Sequence, residues 1–193
     1  MSLEEIIQGC KKGNRKSQDA LVQKFAPGLM ALCSRYVSDT GLAQDALQET
    51  FIAAFKYINT YTGEGNFNGW IRKIAVNTSL TIYKKYHKIK FDTLDDGNEY
   101  KIPSLRAEVE DDMNAEQVLS LLRLLPESMY LVFNLHTIEG YQHHEIATLL
   151  SINENTSRAA LSKAKTRLKE MIRKSHSQNQ TNILNIDISA KVI

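Results

Sequence analysis

The stretch from Glu145 to Lys174, EIATLLSINENTSRAALSKAKTRLKEMIRK, constrains the fold more than any other part of the chain. Ile146, Ala147, Leu149 and Leu150 form a short apolar pattern at helical spacing, and Ser151-Ile152-Asn153 then breaks the period. Asn153 is a good N-cap, because its side chain accepts a bond from an orphan amide of the following turn. Beyond it Ala160, Leu161, Ala164, Leu168, Met171 and Ile172 make one core-facing stripe. This is a helix, a tight turn and a second helix. The remaining faces of the second helix carry Asn155, Ser157, Arg158, Ser162, Lys163, Lys165, Thr166 and Arg167, with Glu170 the one acid from Arg158 to Lys174. Small polar and cationic side chains in that arrangement suit base edges and phosphates in a major groove.

The rest of the chain reads as helical too. Gly (9) and Pro (3) are scarce among 193 residues, and apolar residues recur at helical spacing almost throughout, so the expected fold is all-α. Two small helical domains are expected, joined by a flexible acidic linker, with the helix-turn-helix in the second. The boundaries are 1–91, a linker at 92–113, 114–174 and a tail at 175–193.

A formal net charge of +2 conceals segregation along the chain. Arg72, Lys73, Lys84, Lys85, Lys88 and Lys90 occupy a segment without acids. Asp92, Asp95, Asp96, Glu99, Glu108, Glu110, Asp111, Asp112 and Glu116 dominate the next, and cations return after Arg158. Two polyanion-binding modules flanking an acidic connector fit that order. Cys10 and Cys33 lie on apolar faces and read as buried thiols. No basic n-region precedes an apolar run at the N-terminus and no stretch is long enough to span a bilayer, so a cytoplasmic protein without membrane insertion is expected.

Residues 3–12 pattern as a short helix with Leu3, Ile6, Ile7 and Cys10 on one face. Ser17 to Val37 follows, with Ala20, Leu21, Phe25, Leu29, Met30, Cys33, Tyr36 and Val37 inward and a kink or break expected at Pro27-Gly28. Residues 43–58 are the clearest amphipathic helix. Leu47, Phe51, Ala54, Phe55 and Ile58 face inward, and Gln44, Asp45, Gln48, Glu49 and Ile52 stand opposite. That outer face is either a solvated surface or a dock for a basic partner. YTGEGNFN (61–68) is a Gly-rich loop with two aromatics. The helix after it, about 69–90, turns Trp70, Ile71, Ile74, Ala75, Thr78 and Ile82 to the core and aligns Lys73, Asn77, Lys84 and Lys88 on another face. An aromatic loop beside a basic, amide-bearing helix suits a single nucleic-acid strand, bases stacking on rings while cations follow phosphates. Pro126 suits the first turn of a helix carrying Tyr130 and Phe133. For the final ILNIDISAKVI a short strand, a partner-binding segment and a disordered end all remain open.

Two stretches together resemble one family. DALQETFIAAFKYINTYTGEGNFNGWIRKIAVNTS is similar to region two of bacterial sigma factors of the extracytoplasmic-function (ECF) group, and LLPESMYLVFNLHTIEGYQHHEIATLLSINENTSRAALSKAKTRLKEM to their region four. The phrase LVFNLHTIEGYQHHEIA further resembles the Bacteroidetes-type branch. The resemblance implies a dissociable specificity subunit of RNA polymerase. Asp45, Gln48, Glu49 and Ile52 would dock on core polymerase. Tyr61, Phe67, Trp70, Lys73, Asn77 and Lys84 would engage the melted minus-ten strand, Asn77 matching the position that reads a flipped base. Asn155, Thr156, Ser157, Arg158, Ser162, Lys163 and Arg167 would meet the minus-thirty-five duplex. An anti-sigma partner is implied, and neither a cofactor nor an enzymatic activity is expected. Ser151 departs from the pattern, standing where such a turn often carries Gly, so a strained or differently shaped turn is expected there.

The competing reading is a stand-alone helix-turn-helix regulator, which leaves residues 43–90 unexplained. His136, His143 and His144 invite a metal site, but no third ligand stands at useful spacing, and adjacent helical histidines diverge.

Overall fold

A computed structural model describes residues 1–86 and 120–189, with side chains through residue 174 in the second stretch. Every regular element among the described residues is helical. The expected linker at 92–113 lies outside them. The chain divides into two compact units, Met1–Lys88 and Ile89–Ile193, each built around its own apolar core.

The first unit packs four helices, α1 (Leu3–Lys11), α2 (Arg15–Tyr36), α3 (Thr40–Tyr57) and α4 (Phe67–Tyr86), with a 3-10 turn at Ile58–Thr60 after α3. Each start is chemically marked. Ser2 and Glu5 form a reciprocal capping box on α1, the Asn14 side chain accepts from the Ser17 amide, and Asp39 accepts from the Leu42 amide. Leu21, Leu29, Leu32, Cys33 and Tyr36 of α2 meet Ala43, Ala46, Phe51 and Ala54 of α3 and Ile71, Ala75, Val76 and Leu80 of α4. The alanines keep α3 thin enough for its neighbours to approach closely.

Two expectations change here. The helix α2 runs through Pro27-Gly28 without a break. Both residues are exposed, so water can serve the carbonyl that loses its partner at Pro27, while buried residues on either side hold the two halves in line. The buried stripe of α4 is also rotated from the expected one. Phe67, Ile71, Ala75, Val76, Ser79 and Leu80 are buried, whereas Trp70, Ile74, Thr78 and Ile82 are only half-buried. Polar Ser79 sits inside near Cys33, its buried hydroxyl without a hydrogen-bond partner. Thr50 donates to the Ala46 carbonyl at 2.6 Å and pairs with Thr78 at 2.7 Å.

In the second unit, Leu121, Leu122 and Leu125 are buried ahead of α5 (Glu127–Phe133), for which Pro126 stands at the N-cap. A π turn, Asn134–Ile138, extends α5. Gly140 at φ +79° redirects the chain into α6 (His143–Leu150). The final helix α7 (Glu154–Ser189) packs on α5 and α6 through Ala160, Leu161, Ala164, Leu168 and Met171. It continues past Lys174 to Ser189, which replaces the short strand considered for 183–193 as far as residue 189; the last four residues lie outside the described ones. SHSQNQTN contains neither Gly nor Pro, so nothing in it stops a helix. Among the described residues no helix is long and apolar enough to cross a membrane.

Candidate nucleic-acid interface

The helix-turn-helix is α6, a three-residue turn and the first turns of α7. Asn153 caps α7 as expected, its side-chain Oδ1 accepting from the Thr156 amide at 2.7 Å and from the Thr156 hydroxyl at 3.0 Å. Ser151 takes the left-handed conformation (φ 59°, ψ 45°) at the C-cap of α6. Its serine side chain is tolerated there at a conformational cost that glycine would avoid.

The seven residues expected on the minus-thirty-five duplex divide. Asn155, Arg158 and Ser162 are exposed, and Lys163 and Arg167 are half-exposed on the same helix. Arg158 is bonded to Glu154 one turn earlier. Thr156 is engaged by its own cap. Ser157 is 0% exposed. Its hydroxyl lies 2.9 Å from His143 Nδ1 on α6, so it is a structural contact inside the motif and does not face DNA. The spacing hid this, because Ser157 precedes Ala160, Leu161 and Ala164 on the buried stripe while being chemically suited to a groove.

The histidines also find their places. His136 of the π turn stacks on His143 of α6 with ring centroids 4.5 Å apart. Among the described residues no three His, Cys, Asp or Glu side chains are grouped to hold a metal ion. Burial lowers the His143 pKa, as do the neighbouring His136, Arg158 and Lys165; Glu154 opposes them. Nearby Tyr141 is pushed up to about 12 by burial, with Glu139 and Glu145 adding to the shift.

In the first unit, the aromatic loop and α4 form a cluster. Phe67 lies 5.4 Å from Phe25, 5.1 Å from Tyr61 and 5.2 Å from Trp70, ring centre to ring centre. The Tyr61 hydroxyl donates to the Gly65 carbonyl at 2.9 Å, and Lys11 donates to the Tyr61 carbonyl at 2.7 Å. Phe67 is 2% exposed and Tyr61 is buried, so in this conformation neither presents a free face to a base. Trp70 is partly exposed, its ring centre 5.2 Å from that of Phe67 and 5.7 Å from that of Tyr61. The two buried rings support it. Lys73, Asn77 and Lys84 are exposed on α4, as expected.

Asp45, Gln48, Glu49 and Ile52 are exposed along α3, Ile52 to 52%. Sequence reasoning treated this face and Asn77 as separate surfaces. They meet in one cleft of about 500 Å³ between α3 and α4, with Leu42, Asp45, Gln48 and Glu49 on one wall and Asn77, Thr81, Lys85 and Tyr86 on the other. No periodicity within a single helix reports which neighbour it will face.

A four-helix unit with a polar, cationic outer helix, followed by a unit ending in a helix-turn-helix, defines a helical DNA-binding protein of transcription. Comparison narrows the class. The family model for Sigma-70 region 2 matches residues 21–89, and that for Sigma-70, region 4 matches residues 115–168. The chain is 25% identical over 173 residues to the RNA polymerase sigma-H factor of Pseudomonas aeruginosa, covering 84% of this chain and 89% of that one. It is 25% identical over 179 residues to the ECF RNA polymerase sigma-E factor of Haemophilus influenzae, covering 88% and 94%. In structure it resembles the sigma factor RpoE of Bartonella quintana, solved in complex with the anti-sigma factor NepR, with TM-score 0.50, 18% identity and coverage of 80% and 96%. The chain belongs to the sigma-70 family as an alternative sigma factor of the ECF type, which binds core RNA polymerase and directs promoter-specific initiation of transcription.

Proposed function

We propose a division of labour among named residues of this sigma factor. Residues 1–91 serve as region two and residues 114–174 as region four, with 92–113 as connector. Asp45, Gln48, Glu49 and Ile52 dock on core polymerase. Asn77 reads an extruded base of the minus-ten element, Trp70 stacks beside it, and Lys73 and Lys84 follow the strand's phosphates. Tyr61 and Phe67 act from beneath, by holding Trp70. Arg158, Ser162, Lys163, Arg167 and Asn155 meet the minus-thirty-five duplex. The protein works in the cytoplasm as a non-enzymatic subunit, of the Bacteroidetes type that LVFNLHTIEGYQHHEIA resembles, and an anti-sigma factor restrains it as NepR pairs with the Bartonella protein.

The observation that carries this reading is the exposed row Lys73, Asn77 and Lys84 beside the half-exposed Trp70. Extruding a base costs a few kcal/mol, and an aromatic face with a bidentate amide nearby offsets that cost.

Run-off transcription with purified core polymerase on a genomic fragment library tests the reading. Discrete transcripts are expected only when this protein is added. Binding to promoter duplex without polymerase, and no added transcripts with it, would instead favour a stand-alone regulator.

A further inference from the structure

We propose that His143 positions the DNA-reading helix by gripping Ser157, and that Ser157 donates this bond to a neutral His143 Nδ1, so that protonating His143 ends the grip and promoter recognition by the second unit has an acid limit. The inference rests on the assignment of α7 as the reading helix.

The geometry is specific to one end of the motif. Ser157 lies in the first turn of α7, one residue before the exposed Arg158. Its hydroxyl is wholly buried and within 2.9 Å of His143 Nδ1, at the first residue of α6. This is a hydrogen bond that ties the start of α6 back to the start of α7, while the strained Ser151 turn joins the end of α6 to that same start of α7. It fixes the angle at which α7 leaves the motif. A ring 4.5 Å away, His136, closes the other face of His143. The π turn places it there. Asn134–Ile138 holds one residue more per turn than an α-helix, with the Glu139 amide donating to the Asn134 carbonyl at 3.0 Å.

A proton on His143 enters unfavourable surroundings. His136 faces it from the π turn, and Arg158 and Lys165 from α7, with Glu154 the opposing acid. His144 and Glu145 follow on its own helix. Glu145 is committed to the capping box at Gln142, whose amide donates to it at 2.8 Å. Protonation also fixes Nδ1 as a donor and removes the bond that Ser157 donates. Because folding favours the neutral ring, its stabilising contribution is complete above the ordinary imidazole value of 6.5 and is lost as pH falls through the lowered one.

The test uses the holoenzyme on a promoter fragment recovered from the run-off screen, with upstream duplex protection measured between about pH 5.5 and 8, the range over which imidazole changes charge. Wild-type protection should fall severalfold toward the acid end. His143→Gln keeps a polar partner for Ser157 without an ionisable ring. It should protect the duplex about threefold less at neutral pH, the scale of one weakened hydrogen bond, with a flat profile. Ser157→Ala should lose protection about fivefold at neutral pH. The ratio of each variant to wild type on the same core polymerase cancels the enzyme's own pH response. A separate readout needs no DNA: NMR of the full chain should show the Ser157 amide shifting with the midpoint of the His143 imidazole. If the wild-type holoenzyme yields no transcripts, the assignment of function fails, and the NMR titration still judges the grip. A His143→Gln holoenzyme as acid-sensitive as wild type, or a Ser157 amide indifferent to His143 titration, overturns the proposal.

Discussion

Gly9 sets how closely α1 can lie against α2. A β-carbon built there would fall 2.0 Å from the Ser17 hydroxyl oxygen and 2.6 Å from its Cβ, so one of the two helices would have to move. Gly9→Ala should therefore destabilise the first unit by about 1–3 kcal/mol, measured by urea unfolding, despite alanine's better helix propensity. Ser151 presents the reverse case. Its backbone is left-handed, and glycine meets no penalty there. Ser151→Gly should stabilise the second unit by about 1 kcal/mol. An unchanged or lowered unfolding midpoint would mean that the serine side chain contributes something the turn geometry does not account for. The anomaly at Ser151 was legible in the sequence, because turn chemistry is local. Gly9 gave no such sign, since its constraint comes from a helix that packs on it from elsewhere in the chain.

At the scale of the element, α4 carries the clearest division of roles. Asn77→Ala should impair promoter opening, read by permanganate footprinting, while leaving affinity for core polymerase within about twofold, because an exposed amide contributes little to folding. Equal loss of both would point to misfolding. On α7, Lys163→Ala should weaken duplex binding alike across sequences and reduce the salt slope by about one, if its contact is to phosphate alone. The helix positions, their caps at Asn153 and the polar face of α3 were readable from periodicity and capping chemistry. The rotation of the buried stripe in α4 was not. Val76 and Leu80 could join the core only once α2 and α3 had fixed which side of the helix faced inward. The place of Ser157 is not legible in the sequence for a related reason. A serine satisfies a groove or a histidine of the neighbouring helix equally well, and the histidine lies fourteen residues earlier in the chain.

Across the whole molecule, the cleft between α3 and α4 brings together two surfaces that the chain order keeps apart. Glu49 and Asn77 line the same space. Glu49→Lys should weaken core association in a pull-down through charge reversal, and its added cation should also alter strand capture in the holoenzyme that does form. An unchanged affinity for core would remove Glu49 from the docking face and leave the cleft to DNA. A small net charge agrees with this shared economy of surface. Promoter affinity can come from the polymerase, and the sigma factor itself need not carry an excess of cations.

Cys10 and Cys33 are both buried free thiols, and burial raises the pKa of each. Both stand in the first unit, and the second has no cysteine at all. Alkylation by a soluble reagent such as iodoacetamide must then wait for the first unit to open, since a buried, protonated sulfur is a poor nucleophile. The rate of labelling is a clock that runs on that unit alone, silent to any fraying of the helix-turn-helix. Bound polymerase should slow it, and the degree of slowing would measure how firmly the docking half is held.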